Sequence, residues 1–287
     1  MQPSTFNLRL RIIRRSLRRF IQTIRWRRSL QDSPILFANS FPKSGTHLLT
    51  QVLQGFPAVG PAVDSGLPAV VTYEGDTGRQ RDQAEILADL GRLLPGDIAY
   101  GHVHALPEVV EFACREGFCA YFILRDPRDV AVSHVHYVTD MEPNHAHHRH
   151  YAEELHSFDE RLRTSILGRP EVDIEFPDIS ARFEPYMSWL DHPEVLTLHF
   201  EEFLEDRATA LGRVFDHAVR GGFPAMVERE LAVQILGEHI DPERSPTFRS
   251  GKAGVWKDQF SEENKRLFKG VAGELLVRLG YEQDLDW

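Results

Sequence analysis

The chain has 287 residues, 42% of them hydrophobic and 26% charged, an ordinary globular composition that excludes wholesale disorder and makes one large α/β domain the expectation. Its formal net charge of −10 is unevenly spread: of 33 lysines and arginines, nine arginines fall within residues 1–30, where no acid occurs, and the remaining 24 stand against all 43 acidic side chains, so a body of about −19 carries a basic extension. That acidic body disfavours a nucleic-acid partner, no apolar run reaches the length of a membrane span, and two cysteines, Cys114 and Cys119, are too few for a disulfide framework or a four-thiolate zinc site and fit a reducing, cytoplasmic compartment.

From Leu8 to Leu30, arginines interleave with Leu10, Ile12, Ile13, Leu17, Phe20, Ile21, Ile24 and Trp26. The spacing of three and four predicts an amphipathic helix with Phe20 and Trp26 on its apolar side. Two readings of it stand level. It lies on an anionic membrane surface, making the protein peripheral to a membrane, or it packs on the acidic body of its own or a partner chain. The stretch lacks the uninterrupted apolar core of a secretory signal, and an organelle transit peptide stays open. Residues 1–30 are therefore taken as an extension and 31–287 as the domain.

The domain opens on a short apolar run, Ile35 to Asn39, that reads as a buried parallel strand. A tight loop follows, Ser40 to Gly45, and then a helix from Thr46 with an apolar stripe of Leu48, Leu49, Val52 and Leu53. A helix start presents backbone N–H groups and the positive end of its dipole, so this junction attracts an anion. Gly45 lets the backbone approach, Lys43 adds a mobile charge, and Ser44 and Thr46 add hydroxyl donors. The Walker order, two spaced glycines followed by Gly-Lys-Ser/Thr, is absent. Pro42-Lys43-Ser44-Gly45-Thr46 puts the lysine before the glycine, which makes an ordinary ATP or GTP loop a poor match.

Gly55 to Gly78, rich in Gly, Pro and small residues, reads as a long loop beside a cleft. A helix is expected over Arg79–Leu94, ended by Pro95-Gly96. A strand follows over Asp97–Val103, a helix over Pro107–Arg115, and a strongly apolar strand over Phe118–Leu124. Arg125-Asp126-Pro127-Arg128-Asp129 closes that strand, with Asp126 placed to cap a helix and Pro127 as its first residue. Ser133 is two turns beyond the cap, on the same face, so Arg125 and Ser133 could clamp a second phosphate; the alternative, a surface arginine pairing with Asp126 or Asp129, is the one these residues favour taken alone. Asn144 to His150 holds four histidines, with no His-Glu-x-x-His signature; it reads as a solvated loop over the cleft mouth, and no metal is assigned. Helices are expected over Phe158–Leu167 and Ile179–Leu190, a fourth strand over Val195–Phe200, helices from Glu201, over 208–220 and over 225–236, and a last helix over Ser261–Leu279. Before it, Asp241 to Gly254 forms a loop with glycine hinges and cationic side chains, a suitable lid on an anionic ligand.

The first loop resembles the 5′-phosphosulfate loop of sulfotransferases that use 3′-phosphoadenosine 5′-phosphosulfate (PAPS). Residues 125–137 resemble the same family's 3′-phosphate motif, an arginine followed eight positions on by a serine. Phe248-Arg249-Ser250-Gly251-Lys252-Ala253-Gly254-Val255-Trp256-Lys257 resembles its C-terminal Arg-Lys-Gly…Gly-x-Trp-Lys segment, with Ser250 where a lysine is usual. The resemblance covers residues 35–257. It implies an α/β three-layer sandwich, P-loop-like, with a central, mainly parallel sheet flanked by helices. It also implies PAPS as sulfuryl donor, with adenosine 3′,5′-bisphosphate as product and no metal, and a hydroxyl-bearing carbohydrate, lipid or small molecule as acceptor. By the same resemblance, Lys43, Ser44, Gly45, Thr46 and His47 would hold the 5′-phosphate, and Arg125, Ser133, Arg249, Ser250 and Gly251 the 3′-phosphate. Lys43 would stabilise charge on the leaving oxygen, and His102 would be the acceptor base. His104 is the runner-up, and Glu74 is a third choice because some relatives use a glutamate. Three departures bear on the adenine pocket: Leu48 stands where many relatives have tryptophan, Phe200 where tyrosine is common, and the Thr-Ser-Phe loop is not apparent. A P-loop nucleotide kinase and a non-catalytic membrane-associated module are the competing classes.

Overall fold

Successive residues of a strand point to opposite faces of its sheet, and this alternation accounts for the continuous apolar runs. In the computed structural model, which describes residues 5–169, 174–245 and 251–287, six strands form one sheet. They are β1 (Ile35–Ser40), β2 (Val63–Asp64), β3 (Val70–Val71), β4 (Asp97–His102), β5 (Phe118–Leu124) and β6 (Val195–His199). The order is β2-β4-β1-β5-β6, with β3 paired to the far end of β4, and each of these pairings is parallel. Ile35 and Phe37 enter one apolar layer, Leu36 and Ala38 the other. With helices on both faces, every residue of β1 is buried.

The helices in chain order are α1 (Thr5–Trp26), α2 (Thr46–Leu53), α3 (Gln83–Leu90), α4 (Pro107–Ala113), α5 (Pro127–His136), α6 (Phe158–Leu167), α7 (Ile179–Met187), α8 (Glu202–Glu205), α9 (Arg207–Arg220), α10 (Arg229–Glu238), α11 (Trp256–Gln259) and α12 (Glu262–Arg278). One layer packs Ile86 of α3, Val109 of α4, Val130 of α5, Leu162 of α6, Phe183 of α7 and Phe268 of α12 onto the sheet. The opposite layer brings Leu49 of α2, Leu211 of α9 and Leu236 of α10. The three-layer α/β sandwich expected from the sequence is the observed architecture.

Three expectations change. The segment 55–78 is not one loop: it contributes β2 and β3, two-residue strands too short to show a period. Gly101 lets β3 sit so close, because a Cβ there would stand 2.3 Å from the Val70 carbonyl oxygen. Helix α3 starts at Gln83 rather than Arg79, because Asp82 accepts the Glu85 N–H and Glu85 accepts the Asp82 N–H, a capping box that fixes the first turn. The histidine-rich stretch is not a solvated loop. Wide helical turns at Tyr137–Met141 and His150–Glu154 fold it onto the body, and His147 is buried.

Helix α1 docks on the sheet edge with its arginines inward. Arg15 is buried; its Nε donates to Asp97 Oδ1 at 3.2 Å and its Nη2 pairs with Asp97 Oδ2. Arg19 donates to Asp97 Oδ1 at 2.9 Å and to the Pro95 carbonyl at 2.8 Å, and Arg11 to the Gly66 carbonyl at 2.9 Å. Trp26 turns inward, donating to the Pro57 carbonyl at 3.2 Å, so it does not share the apolar side with Phe20. Asp97 is fully buried at the start of β4. Burial raises its pKa despite both arginines.

Candidate functional site

The site forms at the carboxyl ends of β1, β4, β5 and β6, where successive connections leave β1 toward opposite edges of the sheet, the usual place for a ligand in an open α/β fold. After β1 the chain turns sharply. The Ser44 N–H donates to the Phe41 carbonyl at 3.2 Å, Lys43 takes φ +72° and Gly45 φ +104°. A left-handed lysine carries strain of about 1–2 kcal/mol, a cost found where a loop is shaped for a ligand. Only glycine fits at 45: a Cβ would meet Phe200 Cδ2 at 2.8 Å. The first helical bond of α2 is Leu49 N–H to the Gly45 carbonyl, and no side chain caps the helix. The N–H groups of Thr46, His47 and Leu48 therefore precede the helical ladder and present the positive end of α2.

His102 ends β4 beside this loop. Its Nδ1 lies 3.1 Å from both the Ser40 carbonyl and Ser40 Oγ, and Ser40 Oγ is 2.6 Å from Thr46 Oγ1. The carbonyl can only accept, so Nδ1 carries the proton and Nε2 keeps its lone pair. Burial, with smaller contributions from His47 and Lys43, pushes the His102 pKa down to about 4, against the opposing Ser40 hydrogen bond. His47 is lowered by burial and by Lys43.

At the second junction Asp126 caps α5, accepting the Arg128 N–H at 2.9 Å, and Pro127 is the first helical residue, as expected. Arg125 lies over the Phe200 ring, 4.7 Å from its centroid. Its Nη2 donates to the Lys252 carbonyl at 2.7 Å and to Asp129 Oδ2 at 3.3 Å. Its Nε is buried and has no hydrogen-bond partner among the described residues. Arg128 instead serves the fold: it is buried between Asp126 and Glu282 and stacked on Trp256 and Trp287.

One cavity of about 530 Å³ joins these parts. Lys43, Gly45, Thr46, His47, His102, Arg125, Ser133 and Gly251 all line it. Ser44 does not; it is fully buried and its hydroxyl has no partner among the described residues. His104 is not in the wall either, being buried with its ring edge-on to Tyr73 and Tyr186. Burial holds its pKa near 4. Glu74 does not line the cavity either and is bonded to Arg79 and Thr77. Arg249 and Ser250 lie outside the described residues.

Several wall residues were not anticipated. Tyr137 sits under Lys43, whose Nζ is 4.0 Å from the ring centroid. Tyr73, Tyr186 and His145 complete that side. Burial pushes the His145 pKa down to about 4. On the other side stand Leu48 and Phe200, the two positions marked from the sequence for the adenine pocket, with Gln51, Leu204, Arg207 and Ile240. Gln51 pairs with the backbone of Asp241, donating to its carbonyl at 2.7 Å and accepting its N–H at 3.0 Å. The crowding of histidines over 145–150 was the one signal for His145. Among the described residues, the single group of three or more metal-ligand side chains with ligand atoms within 4.8 Å of one another is Cys114, His192 and Glu194. It sits at the amino ends of β5 and β6, away from this cavity.

A parallel sheet flanked on both faces, with a tight strand-to-helix loop at its switch point, defines a P-loop-like α/β protein. Its fold is that of the sulfotransferases. A crystal structure of retinol dehydratase with androsterone and inactive cofactor PAP matches with a TM-score of 0.57 and 18% identity, covering 86% of this chain and 83% of that one. Mouse sulfotransferase SULT7A1 complexed with PAP matches at 0.56 and 22%, covering 85% and 84%. Retinol dehydratase with retinol and PAP matches at 0.56 and 17%, covering 86% and 83%. No protein-family model and no curated protein sequence matches the chain.

Proposed function

We propose that the protein is a PAPS-dependent sulfotransferase that moves a sulfuryl group to an acceptor hydroxyl. The observation that carries this reading is the shared cavity: Lys43 and Arg125, each at the mouth of a helix, line one space with His102, which ends β4 on the side of β1 opposite β5. The residues suit a doubly phosphorylated donor. The N–H groups opening α2, with Thr46 and His47, would hold the 5′-phosphate; Arg125, through an Nε that has no partner among the described residues, together with Ser133 and Gly251, would hold the 3′-phosphate. Arg249 and Ser250 are proposed for the same end by resemblance. When bound, the donor supplies an activated sulfuryl group for in-line transfer, a reaction governed by positioning and charge stabilisation.

Lys43 neutralises charge developing on the oxygen that leaves. Tyr137, under its ammonium group, limits where that charge can go. His102 accepts the acceptor's proton at Nε2, since Nδ1–H is engaged by Ser40. Anionic donor oxygens beside it raise its basicity toward the working range. The acceptor side is then Val71, Tyr73, Tyr137, His145 and Tyr186, a largely aromatic wall that suits a hydroxyl on an apolar body. The retinol and androsterone held by the structural neighbours have that character.

Calorimetry with adenosine 3′,5′-bisphosphate and with ATP tests the donor, and radiolabelled PAPS with a panel of alcohols and phenols tests transfer. Binding of the bisphosphate with labelled product is expected. Binding of ATP alone would favour a nucleotide kinase, and bisphosphate binding with no transfer to any acceptor would favour a non-catalytic module.

A further inference from the structure

The polarity of α1 is reversed relative to an ordinary surface helix. Its arginine side is spent on the body, through Arg11, Arg15 and Arg19, while its apolar side faces out. Ile13 is 64% exposed, Phe20 63%, Ile24 60% and Leu17 59%. With Leu10 and Ile21 these residues make a stripe about 100° wide along a 22-residue helix. Such a continuous apolar stripe on a soluble surface marks a contact site. Beside it stand Arg14 and Arg25, and just past the helix end Arg27 and Arg28, all exposed.

We propose that this stripe docks on an anionic bilayer, with the apolar side chains in the headgroup–acyl boundary and Arg14, Arg25, Arg27 and Arg28 on acidic headgroups. Charge selects the occupant. No acidic residue occurs before Asp32, so two copies packed stripe to stripe would bring Arg14 and Arg25 together with no carboxylate on either helix to neutralise them. A surface of anionic lipid neutralises every one of them. The acidic body stands behind the helix, where screening over about 8 Å weakens its repulsion from the lipid. The buried Arg15–Asp97 pair holds the helix to the body, so the stripe arrives at the membrane preformed.

The test is vesicle co-sedimentation of the whole chain, with light scattering alongside. Binding is expected to phosphatidylcholine–phosphatidylserine vesicles, to weaken with salt, and to be lost with phosphatidylcholine alone. Ile13→Ser/Phe20→Ser/Ile24→Ser should weaken it by roughly a hundredfold or more with little change in the melting temperature, since these side chains are mostly exposed. Arg14→Gln/Arg25→Gln/Arg27→Gln/Arg28→Gln should remove the preference for phosphatidylserine. A chain that stays in the supernatant with phosphatidylserine vesicles overturns the proposal. So does a dimer that the triple serine variant converts to monomer, which would assign the stripe to a second copy.

Discussion

The Asp129 carboxylate accepts the backbone N–H of Trp256 at 2.9 Å, 127 positions along the chain. Its other oxygen accepts the Gly254 N–H at 2.8 Å and pairs with Arg125 at 3.3 Å. One side chain thus ties the second strand–helix junction to the C-terminal segment, and it is fully buried. Asp129→Ala would strand two N–H groups and unseat Arg125. It should cost about 2–4 kcal/mol in chemical denaturation and weaken adenosine 3′,5′-bisphosphate binding in calorimetry. Unchanged binding would show that the segment 251–256 does not take part in the site.

Lys43 and Arg125 should separate kinetically. In the proposed reaction Lys43→Ala would remove the charge that steadies the breaking bond, so kcat should fall about 100- to 1,000-fold with bisphosphate affinity changed much less. Arg125→Ala would remove the proposed ground-state phosphate contact and should raise the bisphosphate Kd roughly tenfold to a hundredfold. Steady-state kinetics and calorimetry on both variants distinguish the two roles, and equal losses in both quantities for both residues would contradict the division.

Four histidines share one direction of pH dependence. Burial lowers His102, His104, His145 and His147 to about 4, while an unfolded chain titrates them near 6.5. Between those values the unfolded state binds more protons, so stability is fully present at neutral pH and falls as pH drops from about 6.5 toward 4. The slope is at most about 1.4 kcal/mol per pH unit per histidine. Urea melts from pH 7.5 to 4.5 should show a falling midpoint, and His104→Phe, which removes one buried titrating ring, should flatten it. For activity, the acid limb of kcat/KM for the donor should lie nearer pH 4 than 6.5, since that quantity reports the proposed base before the donor binds.

Asp97→Asn should release α1. The substitution leaves Arg15 and Arg19 facing a neutral, buried amide, a loss of about 3–5 kcal/mol for a broken buried ion pair. Limited proteolysis should then cut within residues 5–30 well before the body. Resistance equal to the parent chain would show that the remaining contacts, such as Trp26 to Pro57, suffice.

Local chemistry made much of the fold legible. β1, β4, β5 and β6 carry enough apolar residues to be read directly, and Asp126-Pro127 announces a helix start by capping and a fixed φ. The order Lys43, Gly45, Thr46 marks a tight loop running into a helix start, and the structure has that loop. β2 and β3 escaped notice because a two-residue strand has no period and owes its place to β4. The outward stripe of α1 could not be read either. Its amphipathicity is a property of spacing, but which side meets the body depends on a buried Asp97 some eighty residues away. In the same way the sequence determined that Lys43 and Arg125 each sit at a strand–helix junction. Only the tertiary structure, by laying β1 against β5 in parallel register, opened both junctions into one cavity, brought Tyr137 and His145 to it, and left His104 behind the wall. Nearest-neighbour chemistry is written along the chain, whereas convergence across a sheet arises from long-range packing that no local pattern encodes.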